Sequence, residues 1–121
     1  VERIAASDSR WTWSGNWRPD RQTRISSDKG AEASISFEGT GVIVSGPYLP
    51  TGGKADVYLD GKLHQTVDVF PDENARKGGE FVWHAFHLKP GKHAVRLVVR
   101  GETYGDSQGL EIGVDDLVVF R

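Results

Sequence analysis

Short reversals and long connections alternate along the chain, and that alternation restricts both the fold and the place of any binding site. Glu38-Gly39-Thr40-Gly41, Asp60-Gly61 and Lys89-Pro90-Gly91-Lys92 are tight-turn signals set between apolar runs. The other connections are longer, from Pro47 to Gly53, Phe70 to Gly79 and Gly101 to Gly109. An antiparallel chain reverses at every connection, so alternate connections emerge at the same end of the strands whatever the sheet order. The tight turns are therefore expected at one pole and the long connections at the other. Ser14 to Gly30, which feeds the first of these strands, belongs to the long-loop pole by the same counting. Aromatic and charged loops gathered at one pole of a rigid scaffold are how β-sandwiches usually carry function.

The runs between these connections predict strands over Glu32 to Phe37, Val42 to Ser45, Lys54 to Leu59, His64 to Phe70, Phe81 to Leu88, His93 to Val99 and Leu110 to Phe120. Arg10 to Trp13 is expected to add one more. Alternating apolar positions, such as Val67 and Val69 or Val95, Leu97 and Val99, imply half-buried strands. Amphipathic helix spacing is weak, and fifteen glycines with no methionine suit repeated reversals. The expected fold is all-β, an antiparallel sandwich of two packed sheets. At 121 residues the chain is long enough for one domain, 1–121, with a core that needs no staples.

The absence of cysteine excludes a disulfide scaffold and thiol catalysis. A net charge of -2 and a pI near 6.1 give no global attraction to nucleic acid or to anionic membranes. No apolar run is long enough to span a bilayer. The chain opens on Val1-Glu2-Arg3 rather than on a targeting segment, and reads as a mature or excised domain of a larger protein.

Two stretches go beyond generic sandwich grammar. Gly52-Gly53-Lys54-Ala55-Asp56-Val57-Tyr58-Leu59-Asp60-Gly61, followed by Thr66-Val67-Asp68, reads as loop, strand, hairpin and return strand. Leu88-Lys89-Pro90-Gly91-Lys92-His93 and Val114-Asp115-Asp116-Leu117-Val118-Val119 close the pattern downstream. Together with Gly39-Thr40-Gly41-Val42 and Trp13-Ser14-Gly15-Asn16-Trp17, they make the chain resemble the galactose-binding-like jelly roll of many non-catalytic carbohydrate-binding modules. The resemblance covers nearly the whole chain and implies a secreted, periplasmic or cell-surface module, covalently linked to a carbohydrate-active enzyme that it holds on a polysaccharide. It implies the fold more strongly than the ligand. Many similar modules hold a structural calcium between their terminal strands, for which Glu2 and Asp116 would be the candidates here.

Sugars present an apolar ring face and a rim of hydroxyls, which favours an aromatic platform flanked by multi-donor side chains. A uronic acid adds a carboxylate that arginine binds in bidentate fashion. Trp17 with Asn16, Arg18, Arg21 and Arg24 is the densest such group in the chain. Either Trp17 is a stacking platform among guanidiniums, or it closes the end of the sandwich and the arginines are a solvated face. Tyr48, between Pro47 and Pro50, is expected as a preorganised exposed platform, the alternative being a ring packed back on the core. Thr51 and Lys54 flank it. Asn74 and Arg76 in one long loop and Tyr104 in another complete the candidates. Trp83 is expected in the core, and Trp11 and Trp13 on one face, with at least one of them buried.

Catalytic chemistry finds little support. Gly105-Asp106-Ser107 opens like an esterase motif but has no histidine after it, and a nucleophile without a base is inert. His84 and His87, three apart in an expected strand, should face opposite ways. Asp115 and Asp116 should also point apart, one of them anchoring backbone or a basic side chain. The expected function is a non-catalytic carbohydrate-binding module, its favoured ligand an acidic pectic glycan. The rivals are a structural domain that packs against a catalytic partner, and, less well supported, a small hydrolase using Asp72, Glu73 and Asp106.

Overall fold

The computed structural model describes residues 1–71, 77–103 and 109–121. All named elements are strands: β1 (Glu2–Ala5), β2 (Thr12–Ser14), β3 (Arg18–Asp20), β4 (Thr23–Ser26), β5 (Glu32–Glu38), β6 (Gly41–Tyr48), β7 (Gly53–Leu59), β8 (Lys62–Asp68), β9 (Lys77–Ala85), β10 (Lys92–Thr103), β11 (Ile112–Val114) and β12 (Asp116–Phe120). Two antiparallel sheets, β1-β12-β6-β9 and β2-β5-β10-β7-β8, form the sandwich, and a small third sheet, β11-β4-β3, is built beside them. Period-two patterning explains the layering. Ala33, Ile35 and Phe37 of β5 and Val95, Leu97 and Val99 of β10 turn inward, while Ser34, Ser36, Ala94 and Arg96 between them do not. The inward residues meet Val42, Val44, Trp83, Leu117 and Val119 of the facing sheet in one core cluster.

The two-pole arrangement expected from the sequence is present. At the tight-turn pole the Gly39 amide donates to the Gly91 carbonyl at 3.1 Å, Leu88 to Thr40 at 2.9 Å and Asp60 to Ala94 at 2.8 Å. At the opposite pole Leu49 donates to Val69 at 2.9 Å and Gly53 to Glu111 at 2.9 Å, which ties the Pro47 to Gly53 connection to residues flanking the other two. The Gly30 amide reaches the Val99 carbonyl at 2.8 Å, bringing the segment before β5 to the same end.

Four sequence expectations need adjustment. The run from Leu110 to Phe120 is two strands rather than one, because the chain leaves the small sheet after Val114 and enters the β1-β12-β6-β9 sheet at Asp116. The strand expected to reach Leu88 ends at Ala85, and His87 lies beyond it with a φ of 60°, so strand alternation does not relate His84 to His87. The strand expected from Arg10 begins only at Thr12. The short strands β1, β3 and β4 were not expected, and each exists through its pairing: β1 with β12, and β3 and β11 with β4. Where β6 passes β11, bare backbones touch. A Cβ on Gly46 would lie 2.2 Å from the Gly113 carbonyl oxygen, a contact no side chain tolerates.

Trp83 is buried, as expected, and its indole N–H donates to His64 Nδ1 at 3.0 Å. The tight-turn pole carries a charged latch. His93 Nδ1 lies 2.7 Å from Asp60 Oδ2 and Nε2 lies 2.6 Å from the Lys89 carbonyl. Both ring nitrogens face acceptors, an arrangement that favours the protonated ring, which alone carries hydrogen on both. The bond to Asp60, then the one to Lys89, hold the His93 pKa above its ordinary 6.5. Burial opposes ionisation of Asp60, yet the bonds from His93 and from the Ala94 amide keep its pKa below the ordinary 3.8. A raised histidine value stabilises the fold fully below pH 6.5 and ceases to do so as pH climbs through the folded value. The lowered Asp60 value contributes above pH 3.8 and is lost as pH falls below it. Thermal unfolding followed from pH 5 to pH 9 should therefore show a decline in Tm above neutrality that Asp60→Asn flattens; an equal decline in Asp60→Asn would show that the latch does not stabilise the fold.

Candidate functional site

The first long connection is organised by its tryptophans. Trp11 stacks on Trp13 with ring centroids 5.4 Å apart, and Trp13 lies 4.9 Å from Trp17. Trp11 is buried, while Trp13 and Trp17 are half-buried and packed against the core. The Trp17 indole N–H donates to the Ser14 carbonyl at 2.9 Å, closing a turn over Gly15 and Asn16. Gly15 has a φ of 88°, and a Cβ there would lie 2.9 Å from the Cβ of Ala31. Only glycine lets this turn lie so close to the start of β5.

Around that turn a surface pocket of about 290 Å³ brings together Asn16, Trp17 and Arg18 with Ser27 and Asp28. The Trp17 ring packs against the core at this end of the sandwich and also forms a wall of the pocket. Arg18 projects from β3 and pairs with Glu111, whose other carboxylate oxygen accepts from the Thr51 hydroxyl. Glu111 thereby ties β3 to the β6–β7 connection and fixes the guanidinium beside the pocket. A guanidinium has five N–H donors, more than one carboxylate takes up, so donors remain for a ligand carboxylate or hydroxyls. Arg18 is 56% exposed.

The other candidates are more dispersed. In the β3–β4 ladder Arg18 pairs with Ile25 and Arg24 pairs with Pro19, which puts the two arginines on opposite faces. Arg21, with a φ of 59°, stands exposed at the tip of that hairpin. The three arginines do not converge on one pocket. Tyr48 is half-buried at the end of β6 and packs against the core, and it is not a wall of the Trp17 pocket. Lys54 is half-buried in β7, opposite Asp68 in β8. Asn74, Arg76 and Tyr104 lie outside the described residues, as do Asp72, Glu73 and the Gly105-Asp106-Ser107 segment.

The calcium candidates do not form a pair. Glu2 stands opposite Val119 and Asp116 opposite Ala5, three steps apart on the β1–β12 ladder, or about 10 Å. Arg121 and Arg10 hold Glu2, and their hydrogen bonds keep its pKa below the usual carboxylate value. Asp116 accepts from Ser45 and lies 3.2 Å from Arg3. Two separated carboxylates already neutralised by arginines do not fit a calcium ion, which needs six to eight converging oxygens. Among the described residues no group of three or more His, Cys, Asp or Glu side chains is arranged for a metal. Asp115 and Asp116 do diverge as expected, and Asp115 accepts from the Thr23 hydroxyl and, at 3.3 Å, from the Gly79 amide.

With this geometry in hand, comparison with known proteins narrows the reading. The family 35 carbohydrate-binding module from an environmental isolate superposes with a TM-score of 0.59 at 18% identity, over 98% of this chain and 91% of that one. The chain has the β-sandwich fold of a carbohydrate-binding module. A two-domain esterase active on acetylated mannans contains the same fold, with a TM-score of 0.70 at 18% identity over 95% of this chain and 34% of that one. In sequence, the chain is 30% identical over 104 residues to the A type blood alpha-D-galactosamine galactosaminidase of Flavonifractor plautii. That match takes in 80% of this chain and 9% of the galactosaminidase, so the chain spans under a tenth of the relative's length. No family model matches the chain.

If the Trp17 pocket depends on the close approach of Gly15 to Ala31, Gly15→Ala should disturb it directly. The substitution is expected to cost about 1–3 kcal/mol, from strain at positive φ and overpacking. Denaturant unfolding monitored by tryptophan fluorescence measures it, and an unchanged midpoint would contradict the packing described.

Proposed function

We propose that this domain is a non-catalytic carbohydrate-binding module that holds a covalently linked carbohydrate-active enzyme on its polysaccharide, with the long-loop pole as a binding site. The observation that carries this reading is the pocket in which Trp17, Asn16 and Arg18 meet, on a fold shared with carbohydrate-binding modules. Trp17 offers ring surface to the C–H face of a sugar, and Asn16 and Arg18 offer donors and an acceptor to its hydroxyls. The favoured ligand is an acidic, pectin-like glycan, because Arg18 is a fixed guanidinium with unused donors at the pocket wall. Glu111 and Asp28 stand beside it, which limits the net positive field and makes single-site affinity modest. Attachment to an enzyme is supported by the larger proteins in which similar sequence and fold occur. Such modules work outside the cell, at the polysaccharide.

A second reading, a domain that packs against its catalytic partner, draws on a different observation. Phe81 and Phe86 of the β9 region are 58% and 45% exposed, and Phe86 meets Phe120 edge-on at 5.5 Å. Exposed aromatics of this kind suit a domain interface. The two readings are compatible, since they use different surfaces.

Calorimetric titration of the domain with polygalacturonate, at low and moderate salt, tests the proposal. Binding should weaken with salt and fall roughly ten-fold in Arg18→Ala, about 1.4 kcal/mol. Glu111→Gln should strengthen it by removing the competing carboxylate. Absence of binding to acidic and neutral glycans alike, by a folded domain, would overturn the proposal and favour the packing domain.

A further inference from the structure

Besides Asn16, Trp17 and Arg18, the pocket at the long-loop pole is lined by Ser27 and Asp28, the residues that follow β4. The turn they belong to is braced at both ends. The Asp28 amide donates to the hydroxyl of the buried Ser26 at 3.2 Å, the Asp28 carbonyl accepts from the Ala31 amide at 3.0 Å, and the Gly30 amide reaches Val99 at 2.8 Å. Ser26 is itself paired with Ile112 in the small sheet. Both bonds of Asp28 use its backbone, and among the described residues its exposed carboxylate has no hydrogen-bond or ion-pair partner.

The cations that could have neutralised Asp28 are committed elsewhere. Arg18, in the same pocket, pairs with Glu111 instead. Lys29 lies across Gly101, where a Cβ would come within 2.7 Å of the Lys29 Cβ, and it lines a separate furrow with Asp56, Arg100 and Glu102. There the hydrogen bonds from Arg100, and to a smaller degree the charge of Lys29, hold the Glu102 pKa below the usual carboxylate value. The pocket thus contains a guanidinium already matched by one carboxylate, and a second carboxylate that no described residue matches. A purely anionic glycan would satisfy the spare donors of Arg18 but bring like charge up to Asp28. A ligand that also carries a positive group would satisfy both. Among saccharides the common cationic group is the protonated amine of an amino sugar that has lost its acetyl group. Such an ammonium donates three hydrogen bonds, gains charge-assisted contact with a carboxylate, and is attracted by an aromatic face. The Trp17 ring offers that face in a fixed position, because its indole N–H is tied to Ser14.

We propose that the Trp17 pocket takes an unacetylated amino sugar in a glycan that also carries carboxylates, with Asp28 recognising the amine and Arg18 the carboxylate. This rests on the carbohydrate-binding reading given above and narrows its ligand from an acidic glycan to a zwitterionic one. An acetyl group on the amine removes the positive charge that Asp28 requires, so acetylation state is the property that Asp28 reads.

The test uses heparosan, a polymer of alternating glucuronate and N-acetylglucosamine, before and after removal of its acetyl groups, with polygalacturonate alongside. The two forms of heparosan carry the same carboxylates and differ only at the amine. Calorimetric titration of the unmodified domain at about pH 6 should show the de-N-acetylated form binding about five-fold more tightly than its parent. The preference should disappear in Asp28→Asn, which keeps the size of the side chain and the backbone bonds of the turn. Arg18→Ala should weaken both forms while a preference between them remains. Equal affinity for the two forms, or a preference that Asp28→Asn retains, would overturn amine recognition and leave the module reading intact. Binding of polygalacturonate alone would do the same. No binding of any of the three polymers, by a folded domain, would overturn both amine recognition and the acidic-glycan reading on which it rests.

Discussion

The change of sheet at Asp115 holds the rest of the structure in place. β11 belongs to the small sheet and β12 to the sandwich, so the residues between them must satisfy partners on both sides. The Asp115 amide donates to Ser45 at 2.8 Å and its carbonyl accepts from Ala6 at 2.9 Å, while its carboxylate receives Thr23 and the Gly79 amide. Asp116 adds Ser45 and Arg3, and Glu111, just before β11, adds Arg18 and Thr51. Three carboxylates within six residues thus join the small sheet to the sandwich and to the β6–β7 connection. Part-buried acceptors with several donors each are expensive to disrupt, so this segment acts as a fixed frame. The Trp17 pocket inherits its geometry from that frame, through Arg18 on one wall and the buried Ile25 on another.

Much of this was legible in the sequence, and the reasons are physical. Strand parity in an antiparallel chain is independent of sheet order, so the separation of tight turns from long loops could be read without knowing which strands pair. The inward positions Val67 and Val69, and Val95, Leu97 and Val99 of β10, were legible because each of these runs has one solvated face. β1, β3 and β4 escaped notice because strands of three or four polar-rich residues carry no periodicity, and Pro19 argues against one of them. They are strands because a partner was already there. The break in Leu110 to Phe120 escaped for the same reason, since a switch of sheets is a property of the partners on each side.

The candidate site shows the same division. Residues adjacent in sequence, Asn16, Trp17 and Arg18, were found together. Arg18, Arg21 and Arg24 were read as one cationic group, but strand alternation sends Arg18 and Arg24 to opposite faces and a hairpin tip carries Arg21 away. The contribution of Glu111 was not foreseen at all. It lies 93 positions from Arg18, and no local pattern marks it.

The four tryptophans allow a direct test of where ligand sits. Each indole N–H gives a separate proton–nitrogen correlation in NMR, and the four environments differ: Trp17 bonded to Ser14 at the pocket, Trp83 bonded to His64 in the core, Trp11 buried, and Trp13 between Trp11 and Trp17. On titration with an oligogalacturonate, the Trp17 signal should move progressively to saturation while that of Trp83 stays in place. A Trp17 signal that remains unmoved at saturating ligand would contradict the assignment of carbohydrate binding to this pole.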